Sequence, residues 1–326
     1  MIISKTPYRI SFFGGGSDYP SWYNKYYGSV ISTTIDKHIY LACKFLPRFF
    51  DHKYRFVWSK IENVKTINEI KHPVVKKLLK HMNIRQGLEI HYVGDLPAFS
   101  GMASSSAFTV GLINILYTIQ NKNISNYQIA KKAIHFEQKI VKEIVGSQDQ
   151  LAVAIGGFNK LVFSPNDKIS ILPKKKTKNL KKLEKNLLLI FTGKKRIAQN
   201  IAKKYNNSLT SINKKYIDLM IQHVSEGEKI LESNNGLDDF GKLLHNAWIT
   251  KKKLSKNISN TKIDEIYDYV LKQGALGGKL LGAGGGGFFL FYMKHELQKN
   301  FLKKNKKLIN VPFKFSDEGT EIIHKN

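Results

Sequence analysis

The stretch DLPAFSGMASSSAF, residues 95–108, decides how the chain is read. Ahead of it, LEIHYVGDLP (88–97) is rich in β-branched and aromatic residues and closes on Pro97, the pattern of a strand. Behind it, SSSAFTVGLINILYTIQ (104–120) is a long apolar segment with serines placed to cap its start, the pattern of a buried helix. Between the two lies a short loop containing Gly101. A helix start carries unsatisfied N–H groups and the positive end of the macrodipole. Small residues at 103–107 let a phosphate approach that backbone closely, and a serine hydroxyl there can ligate Mg²⁺. An ordinary serine-capped helix has the same local signature, so the rest of the chain has to discriminate.

A second glycine-rich stretch, LLGAGGGGFF (280–289), competes for the phosphate-binding role, because Gly282, Gly284 and Gly287 satisfy a G-x-G-x-x-G pattern. A dinucleotide fingerprint opens a βαβ unit and needs an acidic residue about 20 positions on. Here the glycines run into FFLFY, a strand, and only about 40 residues follow. The context excludes that reading, and no Walker A pattern occurs elsewhere.

Composition is that of a globular protein: 326 residues, 42% hydrophobic and 24% charged. The N-terminal MIISKTPYRISFF lacks a basic region followed by a long apolar run, no apolar run reaches bilayer-spanning length, and a cytoplasmic location is expected. One cysteine, Cys43, leaves no internal disulfide and no multi-cysteine metal site. The net charge of +28 raises the possibility of a polyanionic partner. It is nearly all lysine, however, scattered along the chain, with arginine only at 9, 48, 55, 85 and 196. Base-edge recognition favours arginine, so neither nucleic acid nor a membrane surface is expected as a partner.

The first half alternates strand-like segments (YRISFF, 8–13; SVISTTIDKHIYLACKF, 29–45) with helix-like ones, ending in an amphipathic helix over 125–146 that stops at Gly146. The lysine- and proline-containing stretch 164–186 leads to a new strand at 187–193, followed by helical segments near 197–232, 237–254 and 261–273. The expected class is α+β in two domains, 1–184 and 185–326.

Three places carry carboxylates or cations in unusual settings. Glu137 falls on the apolar stripe defined by Ile129, Ala133, Ile140 and Ile144, where it is either paired, metal-bound or at the stripe's edge. Asp149, in the GSQDQ turn (146–150), suits a base or a helix cap. Near the N-terminus, PYRISFFGGGSDYP (7–20) puts Arg9 into an otherwise apolar strand, ahead of a glycine turn and Asp18. An arginine so placed generally faces a carboxylate or phosphate.

Taken together, PYRISFFGGGSDYP, LPAFSGMASSSAF and GGKLLGAGGGGFF resemble, in this order and spacing, the three motifs of the GHMP kinases, the superfamily of galactokinase, homoserine kinase and mevalonate kinase. RISFFGGGSD and GALGGKLLGAGGGGFFLFY are most similar to its sugar-phosphate branch, which includes kinases of D-glycero-D-manno-heptose 7-phosphate; L-fucokinases are close relatives. The resemblance implies a two-domain GHMP kinase fold with the site in the interdomain cleft, and ATP and Mg²⁺ as nucleotide and metal. A small sugar phosphate is the implied partner. The implied phosphate loop comprises Pro97, Ser100, Gly101, Met102, Ala103, Ser104, Ser105 and Ser106, with Ser105 and Glu137 on the metal. Asp149 is the implied catalytic base and Arg9 its partner. Gly15, Gly16, Ser17 and Asp18, together with Gly284, Gly285 and Gly286, are expected on the substrate; Lys194 and Arg196, next to Lys195, are candidates for an acceptor phosphate. The loop reads GMASSSA where many relatives have GLGSSAA, which leaves Ser104 or Ser105 as the metal serine.

Overall fold

The computed structural model describes residues 1–166, 168–174, 177–193, 206 and 209–326. Two sheets organise the chain. The larger contains β1 (Ile2–Phe13), β2 (Gly28–Phe45), β3 (Tyr54–Val57), β4 (Ile61–Val64), β5 (Leu88–Gly94), β6 (Phe158–Ser164) and β7 (Lys168–Pro173). The smaller, in the order β11-β8-β10-β9, contains β8 (Leu187–Phe191), β9 (Gly277–Leu280), β10 (Phe288–Tyr292) and β11 (Ile309–Asn310). In chain order the helices are α1 (Pro20–Tyr23), α2 (Pro73–His81), α3 (Ser104–Ile119), α4 (Asn126–His135), α5 (Gln148–Ile155), α6 (Lys178–Lys185), α7 (Lys214–Glu232), α8 (Asp238–Lys252), α9 (Thr261–Lys272) and α10 (His295–Lys304).

β2 is the hub of the larger sheet. Its first half pairs antiparallel with β6 and its second half with β5, while β1 runs along both. The β1–β2 register shifts between Pro7 and Arg9. A proline has no N–H to give the ladder, and a register irregularity re-aims the side chains next to it. There the Arg9 N–H bonds instead to the Met102 carbonyl in the loop ahead of α3, 3.2 Å away. α3 lies against β1 and β2 with every residue from Ser106 to Leu116 buried, which is why its sequence shows little amphipathic contrast. It comes close because Gly111 faces Thr6 and Ser4; a Cβ there would sit 2.9 Å from Thr6 Oγ1.

The chain leaves for the second sheet at Leu187, and its end does not stay there. The C-terminal strands β12 (Phe315–Ser316) and β13 (Glu321–Lys325) return to the first sheet, on β2 and β1 respectively. The helix expected over 125–146 ends early. The α-helix stops at His135, continues as a π turn over Phe136–Val141, and is terminated by Lys142 in the left-handed region (φ 63°) rather than by Gly146. A π turn widens the helix locally and is commonly kept where a side chain must be re-aimed at a site. Glu137 sits in it.

The smaller sheet is built on β10, whose five residues FFLFY are all buried. α8 packs on β9 and β10. The two sheets meet through their glycine-rich segments. Gly282, after β9, faces Gly101, before α3, so closely that a Cβ on Gly282 would lie 2.5 Å from the Gly101 Cα; both glycines have positive φ. No helix among the described residues is long and apolar enough to cross a membrane.

Candidate active site

The loop 95–103 and the start of α3 form one wall of a cleft. Tyr8 Oη donates to the Leu96 carbonyl (2.9 Å) and ties the loop's entry to β1. The loop contains two non-glycine residues in the left-handed region, Phe99 (φ 60°) and Ala103 (φ 64°). Such conformations cost free energy and persist where a site depends on them. Ala103 is the N-cap of α3 and no side chain caps the helix. The serines therefore do not play the capping role expected of them. Ser104 Oγ accepts from Phe99 N–H (3.2 Å), outside the helix, and Ser105 is exposed at the mouth of the cleft. The uncapped N–H groups of the first turn are thus left for a ligand, the arrangement that suits an anion.

Across from this turn lies Glu137, 1% exposed. Its Oε2 accepts from Ser106 Oγ (3.1 Å) and from the Gln150 side-chain amide. Its Oε1 is buried and has no hydrogen-bond partner among the described residues. Burial, with Glu143 adding to it, pushes the carboxyl up to about 7. Ser106, not Ser105, is the hydroxyl on this carboxylate.

Arg9 and Asp149 form the second cluster. Arg9 is 3% exposed and Asp149 is 28% exposed. Nε and Nη2 of the guanidinium hold the two carboxylate oxygens in a fork, both at 2.8 Å, and Nη1 donates to the Gly101 carbonyl at 2.8 Å. One side chain thus ties β1, the loop and the first turn of α5 together. Asp149 does not sit in a free turn, as its sequence context suggests; it is in the first turn of α5, whose N-cap Ser147 makes no side-chain cap.

The Gly14–Asp18 turn forms the third wall. Asp18 is buried, accepting from Gly16 N–H (2.9 Å) and Gln148 N–H (3.3 Å), and burial, with Asp149 adding to it, pushes it up to about 6. It lines the cleft together with Gly15 and Gly16. Ser17 does not; its hydroxyl donates to the Gly14 and Ser29 carbonyls, so its work is structural.

From the second sheet the lining consists of Gly282 and Ala283, with Lys279 from β9 and Lys251 and Leu254 at the end of α8. The expected substrate glycines Gly284 and Gly285 turn away. A Cβ on Gly284 would strike the Ile258 backbone, and Gly285 N–H bonds to the Ile258 carbonyl at 2.8 Å. Gly286, like them, is outside the lining, as are Pro97, Ser100 and Met102, which shape the loop from behind. Lys194 and Arg196 lie outside the described residues.

A family model for the GHMP kinases N terminal domain matches residues 68–157, and one for the GHMP kinases C terminal matches residues 228–308. Together they span just over half of the chain; the first range includes the loop ahead of α3, Glu137 and Asp149, and the second the glycine loop. The chain belongs to the GHMP kinases. As a member it is an ATP-dependent kinase.

Among its relatives, a D-glycero-alpha-D-manno-heptose 7-phosphate kinase of Campylobacter jejuni is 28% identical over 98% of both chains. A bifunctional fucokinase/GDP-fucose pyrophosphorylase of Arabidopsis thaliana is 27% identical over 88% of this chain and 29% of that protein. The crystal structure of a D-glycero-D-manno-heptose 1-phosphate kinase from Bacteroides thetaiotaomicron superposes with a TM-score of 0.80, covering all of both chains at 21% identity.

Within this GHMP kinase, the sequence reading brought Arg9, Asp149, Asp18, Glu137 and the loop into one cleft, and it missed two cations. Lys251 lies on the face of α8 that also carries Leu244, Ala247 and Trp248, all buried. The signal is the same as for Glu137, a charge on an apolar stripe. Lys279 sits in GGKLLG, between glycines and leucines, with the same signal in a strand.

Proposed function

We propose that this kinase transfers the γ-phosphoryl group of ATP to the anomeric hydroxyl of a seven-carbon sugar phosphate, D-glycero-D-manno-heptose 7-phosphate, giving the 1,7-bisphosphate and ADP. Such a product would feed nucleotide-activated heptose for cell-surface polysaccharide synthesis. The observation that carries the reading is the Arg9–Asp149 fork held on the Gly101 carbonyl: it places a partly exposed carboxylate beside an uncapped helix start, where an acceptor hydroxyl and a phosphate would meet. The choice of acceptor rests on the similarity to the Campylobacter enzyme along the whole chain.

In the proposed reaction the acceptor oxygen forms a bond to the γ-phosphorus while the bond from that phosphorus to the ADP oxygen breaks. The acceptor's proton passes to Asp149 and from there to solvent, so that one ATP and one sugar phosphate give ADP, the bisphosphate and a proton. Phosphoryl transfer depends chiefly on in-line positioning and charge neutralisation. The N–H groups at the start of α3 would cradle the polyphosphate, and Arg9 would fix the direction of the Asp149 carboxylate. An anomeric hydroxyl is more acidic than an ordinary alcohol, so a modest base suffices.

Glu137 and Ser106 fit a divalent cation. The orphaned Glu137 Oε1 is a buried acceptor with an unused lone pair, in a carboxylate that burial alone disfavours. Mg²⁺ characteristically takes one or two carboxylates plus substrate phosphates, so this single-carboxylate donor set is sufficient. When bound, Mg²⁺ would neutralise charge on the nucleotide phosphates; Ser105, one residue earlier on α3, faces the cleft mouth. For the acceptor's own phosphate, Lys194 and Arg196 remain the candidates. A fucokinase-like activity on an unphosphorylated sugar is the second reading, favoured by the match to the Arabidopsis enzyme. Measuring ADP release with D-glycero-D-manno-heptose 7-phosphate against L-fucose tests the choice. A higher kcat/KM for L-fucose would overturn the heptose assignment.

A further inference from the structure

We propose that Lys251 and Lys279, together with Arg9, form the cationic seat for the phosphoryl group in flight. The inference rests on the phosphoryl-transfer reading above and names the groups that would bear the transition-state charge. Both lysines are buried and both line the cleft, one from the end of α8 and one from β9. Lys251 Nζ donates to the Leu280 carbonyl at 2.8 Å and to the Gly282 carbonyl. Lys279 Nζ donates to the Phe12 carbonyl on β1 at 2.6 Å. No carboxylate pairs with either lysine among the described residues.

An ammonium group has three donors. Two of those on Lys251 and one on Lys279 are taken by these carbonyl bonds, which leaves one and two respectively for a ligand in the cleft. Their location selects the ligand. Lys251 holds the Gly282 carbonyl, Gly282 faces Gly101, and the Gly101 carbonyl receives Arg9, whose other edge holds Asp149. The three cations therefore gather where the phosphate loop and the proposed base meet.

Buried cations without counter-ions repel one another and are expensive to keep. Burial and the neighbouring cations hold both ammonium groups down: Lys251 well below its ordinary value, through burial, Lys279 and Arg9, and Lys279 at about 7, through burial and Arg9. An arriving anion reverses that balance. The charged groups facing Lys279 are Arg9 from β1 and Lys251 from α8, with the imidazole of His223 on α7 also within its field. Arg9 already has Asp149 as its counter-ion and His223 is held below its ordinary value, so the charge that compensates the two lysines has to come from the ligand.

The alternative is that the two lysines are struts that only shape the glycine loop. Nucleotide titrations separate the two without needing the acceptor's identity. In the full chain, Lys251→Met and Lys279→Met should each weaken binding of ADP with aluminium fluoride, a mimic of the transferring phosphoryl group, by at least 30-fold, and leave ADP binding within threefold. Equal losses for both ligands would mean struts, and the proposal would be wrong. If neither variant folds, the wild-type protein still decides. Calorimetry of ADP–aluminium fluoride binding at pH 8, in buffers of different ionisation enthalpy, should show net proton uptake, because a neutral lysine regains its proton beside the anion. No uptake overturns the proposal. A wild-type protein that binds the mimic as described but turns over no sugar or sugar phosphate would instead count against the acceptor assignment alone.

Discussion

Replacing Glu137 by glutamine should make the ligand-free protein more stable at pH 8 while removing its response to Mg²⁺ and ATP. Burial lifts this carboxyl from its ordinary 4.5 to about 7. Ionising it in the folded state therefore costs about 3 kcal/mol more than in the unfolded chain. The sign follows from the direction of the shift. A folded-state value above the unfolded one means that stability is fully present below about 4.5 and is lost as pH rises through about 7. Glutamine keeps the shape and carries no charge at any pH, so the variant escapes this loss. Spread over 326 residues, the difference corresponds to about 4 °C in melting temperature. The assay is a thermal melt of both proteins at pH 4.5 and pH 8, with and without MgATP. The variant should match wild type at pH 4.5 and melt about 4 °C higher at pH 8 without ligand. With MgATP the wild type should gain stability and the variant little. A variant destabilised equally at both pH values would refute the reasoning, since it would make Glu137 a structural hydrogen-bonding group.

Three further outcomes are expected. Asp149→Ala should lower kcat for ADP release by about 10²- to 10⁴-fold, the range general-base removal gives; a value within threefold of wild type, with chemistry rate-limiting, would discard the base assignment. Gly282→Ala should raise KM for ATP at least tenfold and lower the melting temperature, because its Cβ would lie 2.5 Å from the Gly101 Cα at a positive φ; unchanged nucleotide kinetics would show that the two loops are not coupled. Arg196→Ala should raise KM for phosphorylated acceptors and leave KM for ATP unchanged, and an unaltered acceptor KM would remove it from that pocket.

The parts legible in the sequence were those in which one residue's chemistry contradicts its surroundings. Arg9 in an apolar strand and Glu137 on an apolar stripe both stand in the cleft, as that contradiction suggests. The loop ahead of α3 was legible because a strand, a glycine and a run of small residues at a helix start are all local features. What escaped was non-local. Whether Ser105 or Ser106 reaches Glu137 depends on the phase of α3 against a π turn more than 30 residues away, and no local periodicity carries that phase. The return of β13 to β1 pairs the two ends of the chain, which hydrophobic alternation cannot announce. The glycines diverge for a related reason. Gly282 and Gly284 look alike in the sequence, and only the tertiary contacts show that one meets Gly101 and the other Ile258.

The most direct test is the reaction itself. Purified protein, ATP and Mg²⁺ should be incubated with D-glycero-D-manno-heptose 7-phosphate and with a panel of free sugars, and the products followed by coupled ADP release and ³¹P NMR. The heptose phosphate should give the fastest turnover and a new anomeric phosphate resonance, as the proposed function requires. ADP release that is no faster with it than with free sugars, or a product phosphorylated away from the anomeric carbon, would contradict it.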